Sequence, residues 1–186
     1  MLWLQIALAS TLPLSERFFH FIKEADSLCR LYQIQITLAF SVNINLSSGS
    51  FRIIRQESPD TYLLEGADTM VWPYALWALL QEGYGLLFPH PRIVVRSDYR
   101  LKFDTLTAIP RFEWRGFHLH TQHPIELTEA LHNPYHPNAR EEVLEYLKWL
   151  QCNGQNYFEF CLLRTVNRRI WLPYFREIVS HAKDLG

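Results

Sequence analysis

The apolar positions change rhythm along the chain, and each rhythm predicts an element. Residues 2–8 form a short apolar run bounded by Ser10, Thr11 and Pro13, which fits a buried strand. Ser15 is placed to cap a helix of about four turns in which Phe18, Phe19, Ile22, Ala25 and Leu28 recur at three- and four-residue spacing. Alternation and β-branching predict strands over 34–40, 51–55 and 61–64, separated by the turn material Ser47-Ser48-Gly49-Ser50 and Ser58-Pro59-Asp60. Residues 70–81 are apolar nearly all round, which predicts a buried helix with Pro73 in its first turn and Gly83 as its stop. A further strand is expected over 93–96, and the polar stretch 104–110 reads as a boundary.

Beyond that boundary the rhythm differs. Strands are predicted over 114–120 and 156–163, the second nearly continuous in apolar character, as expected where both faces are covered. Between them Asn138 and Glu141 have the spacing of a capping box, Val143, Leu144, Leu147 and Leu150 form an apolar stripe, and Gly154 ends the helix. A second helix is predicted over 172–182. With no hairpin turn between the strands, the order strand, helix, strand, helix implies parallel strands joined by crossover helices.

Composition narrows the function classes. The chain has 186 residues, enough for one ordinary domain or one small domain plus part of another. Hydrophobic residues make up 48% and charged residues 20%, so burial can offset chain entropy. Net charge is −1, with 18 basic and 19 acidic side chains mixed along the chain, so nothing suggests a nucleic-acid or anionic-membrane partner. No run approaches the roughly 18 apolar residues that span a bilayer. The apolar opening MLWLQIALAS lacks a basic leading segment and is interrupted by Gln5, which argues against an export signal. Compartment is otherwise unmarked. Cys29, Cys152 and Cys161 are odd in number and lack C-x-x-C spacing, so they read as small buried hydrophobes. No glycine-rich phosphate loop, G-x-S-x-G or H-E-x-x-H is present, and no cofactor is expected.

Three groups of side chains could carry chemistry. In PRFEWRGFHLH, residues 110–120, a parallel strand would put Trp114, Arg115, His118, His120 and nearby His123 at or beside its C-terminal end, where α/β barrels gather their sites. An indole face stacks on sugar C–H groups and a guanidinium forks onto adjacent hydroxyls. The same residues also fit a structural reading, with Arg115 paired to Glu113 or Glu159 and Trp114 in a core. His118 and His120 share a strand face and could present two imidazoles to one divalent metal, or line a pocket with His123, His132 and His136 and bond to backbone or ligand. Glu159 stands in the apolar run NYFEFCLLR, where an acid either faces outward, belongs to a site or pairs, and Arg115 or Arg164 is the expected partner.

At PRFEWRGFHLHTQH the chain resembles the entry to the catalytic barrel of family 20 glycoside hydrolases, the β-N-acetylhexosaminidases. ALHNPYHPNAREEVLEYLKWLQCNGQNYFEF is similar to that family's first barrel helix and second strand. SPDTYLLEGADTMVWPYALWALLQEGYGLLFPHPRIVV resembles the small α/β domain that precedes the barrel there and in α-glucuronidases. The likeness covers most of 59–186 and is weak over 1–58.

The resemblance implies that Arg115 holds hydroxyls of the central sugar and that His123 is the histidine following the first strand. His120 stands near a family aspartate, and Glu159 and Cys161 stand near family histidines, so the sugar identity is open. The family's catalytic Asp-Glu pair follows a fourth strand, and this chain is expected to reach only the second.

The fold expected is therefore α/β: a small α+β accessory domain over 1–108, then the first two βα units of an incomplete TIM-type (β/α)8 barrel over 109–186. Function is expected to be that of the N-terminal fragment of a glycoside-hydrolase-like protein. It would contribute the sugar-binding residues Arg115, Trp114, His120, His123 and Glu159, without the catalytic carboxylates and inactive alone. Its partners would be carbohydrate and the remainder of a barrel or a second chain, because two βα units leave strand edges and apolar faces uncovered. Two alternatives stand beside it: a non-catalytic carbohydrate-binding or interaction module, and a metal-dependent hydrolase half-site on His118 and His120.

Overall fold

The computed structural model describes residues 4–8, 16–119 and 125–185. The chain divides into two compact units, Met1–Pro89 with Val94–Glu113, and His90–Ile93 with Trp114–Gly186.

The first unit is a mixed sheet under a helix layer. Strands β1 (Leu4–Leu8), β2 (Ile36–Val42), β3 (Phe51–Arg55), β4 (Thr61–Gly66) and β7 (Thr105–Ala108) lie in the order β1-β2-β4-β3-β7. β2 runs parallel to β1 and β4, whereas β3 is antiparallel to β4 and β7. Period-two alternation buries Ile36, Leu38 and Phe40 of β2 and Tyr62, Leu64 and Gly66 of β4, leaving their neighbours half-buried on the other face. Two helices supply the cover, α1 (Glu16–Leu31) and α2 (Trp72–Ala78). Phe18 of α1, Phe40 of β2 and Trp72 of α2 meet edge-on or tilted at 5.2 to 5.8 Å, and Trp72 Nε1 donates to Ser41 O at 3.0 Å. The turn after β4 is so tight that a Cβ on Gly66 would stand 2.6 Å from Asp68 O.

Several expectations need correction here. The buried helix is built in three pieces: a 3-10 turn at Thr69–Val71 whose N–H of Met70 bonds Asp68, α2 itself, and a π turn over Leu79–Gly83. The left-handed glycine that ends it is Gly85, at φ 72°, and Gly83 lies inside the π turn. Part of the polar stretch 104–110 is β7, an edge strand against β3. β5 (Leu86–His90), which pairs with β6 (Ile93–Arg96), was hidden by Pro89 in a five-residue run. Ser15, the expected cap of α1, lies outside the described residues.

Among the described residues the second unit has two strands and three helices: β8 (Gly116–Leu119), α3 (Ile125–His132), α4 (Ala139–Cys152), β9 (Tyr157–Phe160) and α5 (Arg168–Leu185). β8 and β9 are parallel, with Gly116 opposite Tyr157 and His118 opposite Glu159. Leu119 is fully buried in a cluster with Leu127, Leu131, Val143, Leu147, Leu150 and Ile178, and Phe117, Phe158 and Phe160 pack against it. All three helices therefore contribute to one core against one face of the strand pair.

α3 was not expected, although Leu127, Ala130 and Leu131 have helical spacing after Pro124. Asn138 is no capping-box residue: its φ is 59° and its side chain caps nothing, whereas a capping box needs extended backbone at that position. α5 starts at Arg168, four residues before the expected start at Leu172, and carries Pro173 inside it.

Candidate functional site

The strand boundaries decide where each expected site residue stands. β8 begins at Gly116, so Trp114 and Arg115 precede the strand instead of lying at its C-terminal end. Glycine is required there, because a Cβ on Gly116 would come within 2.6 Å of the Tyr157 carbonyl carbon. The Arg115 backbone is clamped to the start of β9: its N–H donates to Asn156 Oδ1 at 2.8 Å, and its carbonyl accepts from Asn156 N–H at 2.8 Å and Tyr157 N–H at 3.1 Å. Its Nε donates to Gly154 O at 3.0 Å, which occupies part of the guanidinium fork with the turn after α4.

Among the described residues the face of β8 and β9 away from the helices is exposed. Trp114 is 65% exposed and meets Tyr157, 41% exposed, edge-on at 5.8 Å. One step along, His118 Nδ1 and Glu159 Oε2 approach to 3.3 Å, and the Tyr157 hydroxyl donates to Glu159 Oε2 at 3.3 Å. The carboxylate raises the Tyr157 phenol above its ordinary value, with lesser contributions from burial and from this hydrogen bond. The partner of Glu159 is thus His118 across the strands, where the sequence pointed to Arg115 or Arg164. Parallel register makes the two adjacent on one face, and the pair stays about half exposed. The uncovered face is aromatic and polar, where an apolar one was expected.

His120 and His123 lie outside the described residues. Of the other histidines, His132 is buried, with Nδ1 2.6 Å from Thr128 O and Nε2 3.1 Å from Cys161 O, and His136 Nε2 lies 3.4 Å from Glu129 Oε2. These two hold structure together. Among the described residues no group of three or more His, Cys, Asp or Glu side chains could hold a metal ion. Cys29 and Cys152 are buried, but Cys161 is exposed, because it follows the last residue of β9.

A concavity of about 330 Å³ opens beyond the C-terminal end of β9, between the end of α3 and the segment leading into α5. Glu129, Asn133, Tyr135, Thr165, Asn167 and Trp171 are among its lining. No helix of the described residues is long and apolar enough to cross a membrane.

No family model and no curated protein matches the sequence. Solved structures do match in fold. The GH20 exo-β-N-acetylglucosaminidase from Vibrio harveyi, solved in complex with N-acetylglucosamine, aligns with a TM-score of 0.60 and 17% identity over 98% of this chain and 31% of that one. The β-N-acetylhexosaminidase from Bacteroides fragilis aligns with a TM-score of 0.53 and 18% identity over 80% of this chain and 31% of its own. A GH138 enzyme targeting pectin rhamnogalacturonan II gives a TM-score of 0.57 and 12% identity over 98% and 30%. The chain spans about a third of each. It is an α/β chain whose fold is that of a portion of these glycoside hydrolases.

Proposed function

We propose that this chain serves as the small α/β accessory domain, 1–108, and the first two βα units, 109–186, of a glycoside-hydrolase-like (β/α)8 barrel, and that it contributes to carbohydrate binding without catalysing hydrolysis alone. The open face of β8 and β9 is the observation that carries this reading. Parallel strands occur almost exclusively in sheets covered on both sides, and here helices cover one side only. The uncovered side bears Trp114, Tyr157, His118 and Glu159, side chains that stack on and hydrogen-bond to sugars and suit a barrel interior better than a water-facing surface.

On this reading Trp114 and Glu159 face the sugar, and His120 and His123 join them on the strength of the sequence resemblance. Arg115 is assigned hydroxyls of the central sugar on the strength of the sequence resemblance. The rest of a barrel, in the same protein or a second chain, would cover the open face. Hydrolysis is not proposed for these residues, since the family's carboxylate pair belongs to a later strand.

Titration of the 186-residue chain with N-acetylglucosamine oligosaccharides, followed by tryptophan fluorescence, tests this. Saturable binding that weakens about tenfold or more in Trp114→Ala is expected, a loss of about 1.4 kcal/mol. No binding at millimolar ligand, or binding indifferent to Trp114→Ala and Glu159→Gln, would refute the sugar-facing assignment.

A further inference from the structure

We infer that the concavity beyond the C-terminal end of β9 is a second binding site, separate from the open strand face, for a neutral hydroxyl-rich ligand of about one sugar ring. Its size, about 330 Å³, lies at the lower end of small-molecule pockets. It sits at the carboxyl end of a parallel strand, where α/β folds leave crevices between loops.

The walls are pinned in place. His132 reaches from α3 to Cys161 O at 3.1 Å, Trp171 Nε1 of α5 donates to Leu131 O at 2.7 Å, and Tyr174 Oη donates to Ala130 O at 2.6 Å. Trp171 is further held by stacking on Phe175 at 4.4 Å with planes 13° apart. Three cross-links between α3 and the β9–α5 side fix the cleft before any ligand arrives, which lowers the ordering cost of binding.

The lining selects the ligand class. Its charged carboxylate is Glu129, and no lysine or arginine lines the cleft, so phosphate and carboxylate ligands meet no counter-charge. Asn133 and Asn167 each use Oδ1 to accept a backbone N–H, from Tyr135 at 3.1 Å and from Arg169 in the first turn of α5 at 3.1 Å, which orients their amide NH2 groups as donors. Thr165 adds a hydroxyl and Glu129 an acceptor. Tyr135 is 76% exposed beside Pro134, an aromatic ring left in water at the rim, as a platform for sugar C–H groups would be. Donors, an acceptor and an aromatic face without lysine or arginine describe a neutral polyol or monosaccharide unit.

The test is amide chemical-shift mapping of the labelled full chain with N-acetylglucosamine, methyl β-glucoside and myo-inositol, with inorganic phosphate as the anionic control. Shifts should concentrate at 128–135 and 163–171, with apparent affinity falling about tenfold in Tyr135→Ala. Thr165→Val, at an exposed position, should weaken binding by several-fold. Trp114→Ala should leave these shifts unchanged, which separates this site from the open face. Absence of shifts in these segments with every neutral ligand, phosphate binding as strong as that of the sugars, or indifference to both Tyr135→Ala and Thr165→Val would overturn it.

Discussion

The two units solve the problem of covering a sheet in different ways. The main sheet of the first has five strands among the described residues, two helices on one face, and on the other a half-buried surface where Arg52 and Glu65 pair at 3.5 Å across β3 and β4. Such a mixed sheet tolerates water on one side, and Phe18, Phe40, Ile53, Leu64, Trp72 and Leu76 are buried in its core. The second has, among the described residues, two parallel strands, each with one neighbour, and three helices that all contribute to one face. Its other face keeps Trp114 and the His118–Glu159 pair in water. The contrast lies in what meets water: a mixed sheet exposes a salt-bridged face in the first unit, and a parallel pair exposes an aromatic and polar face in the second.

Substitutions can break this contrast in either unit. Trp72→Ala should have the largest effect, because it empties a fully buried site ringed by Phe18 and Phe40 and removes the bond to Ser41 O. A loss of about 3–5 kcal/mol is expected in urea unfolding followed by circular dichroism. Gly116→Val should cost about 3 kcal/mol and uncouple β8 from β9, since the new Cβ collides with the Tyr157 backbone. Loss of the near-ultraviolet signal of the Trp114–Tyr157 contact would report it.

Cysteine labelling gives a smaller and sharper comparison. Burial, and then the Asp26 charge, push the Cys29 thiol in the first unit up to about 12, whereas Cys161 in the second is exposed. At pH 8 an alkylating reagent should label Cys161 at least about tenfold faster than Cys29. A folded-state value raised above the ordinary thiol value means that the neutral form is the one the fold favours. The stability linked to Cys29 is therefore complete below the ordinary thiol range and is lost as pH climbs toward 12. Equal labelling rates in the folded chain would mean that this core is open.

Local signals carried much of the fold. The strand expected over 51–55 is Phe51–Arg55, and the apolar stripe of Val143, Leu147 and Leu150 is the core face of α4. Elements of four to eight residues were missed where proline or short length blurs the period: β5 around Pro89, β7 with four residues, and α3 with eight. The site was less legible. Trp114 and Glu159 could be singled out as residue types, but pairing Glu159 with His118 depends on register, which only the assembled strands fix. The end of the strand at which Trp114 and Arg115 sit depended on a boundary two residues later than expected, and boundaries are weakly encoded in sequence. The cleft residues Asn133, Tyr135 and Asn167 gave no signal beyond turn chemistry around Pro134, because loops meet through the fold and not through spacing.

Amide hydrogen exchange of the full chain bears most directly on whether the second unit is an open part of a larger barrel. Among the described residues β2 and β4 each have strand neighbours on both sides, whereas β8 and β9 each have one, and His118, Tyr157 and Glu159 on them are exposed. If the second unit needs further structure, β8 and β9 amides should exchange at least about a hundredfold faster than the hydrogen-bonded amides of β2 and β4, a difference of about 2.7 kcal/mol in opening free energy. Equal protection of β8–β9 and β2–β4 in the isolated chain would contradict this and identify the second unit as a self-sufficient module.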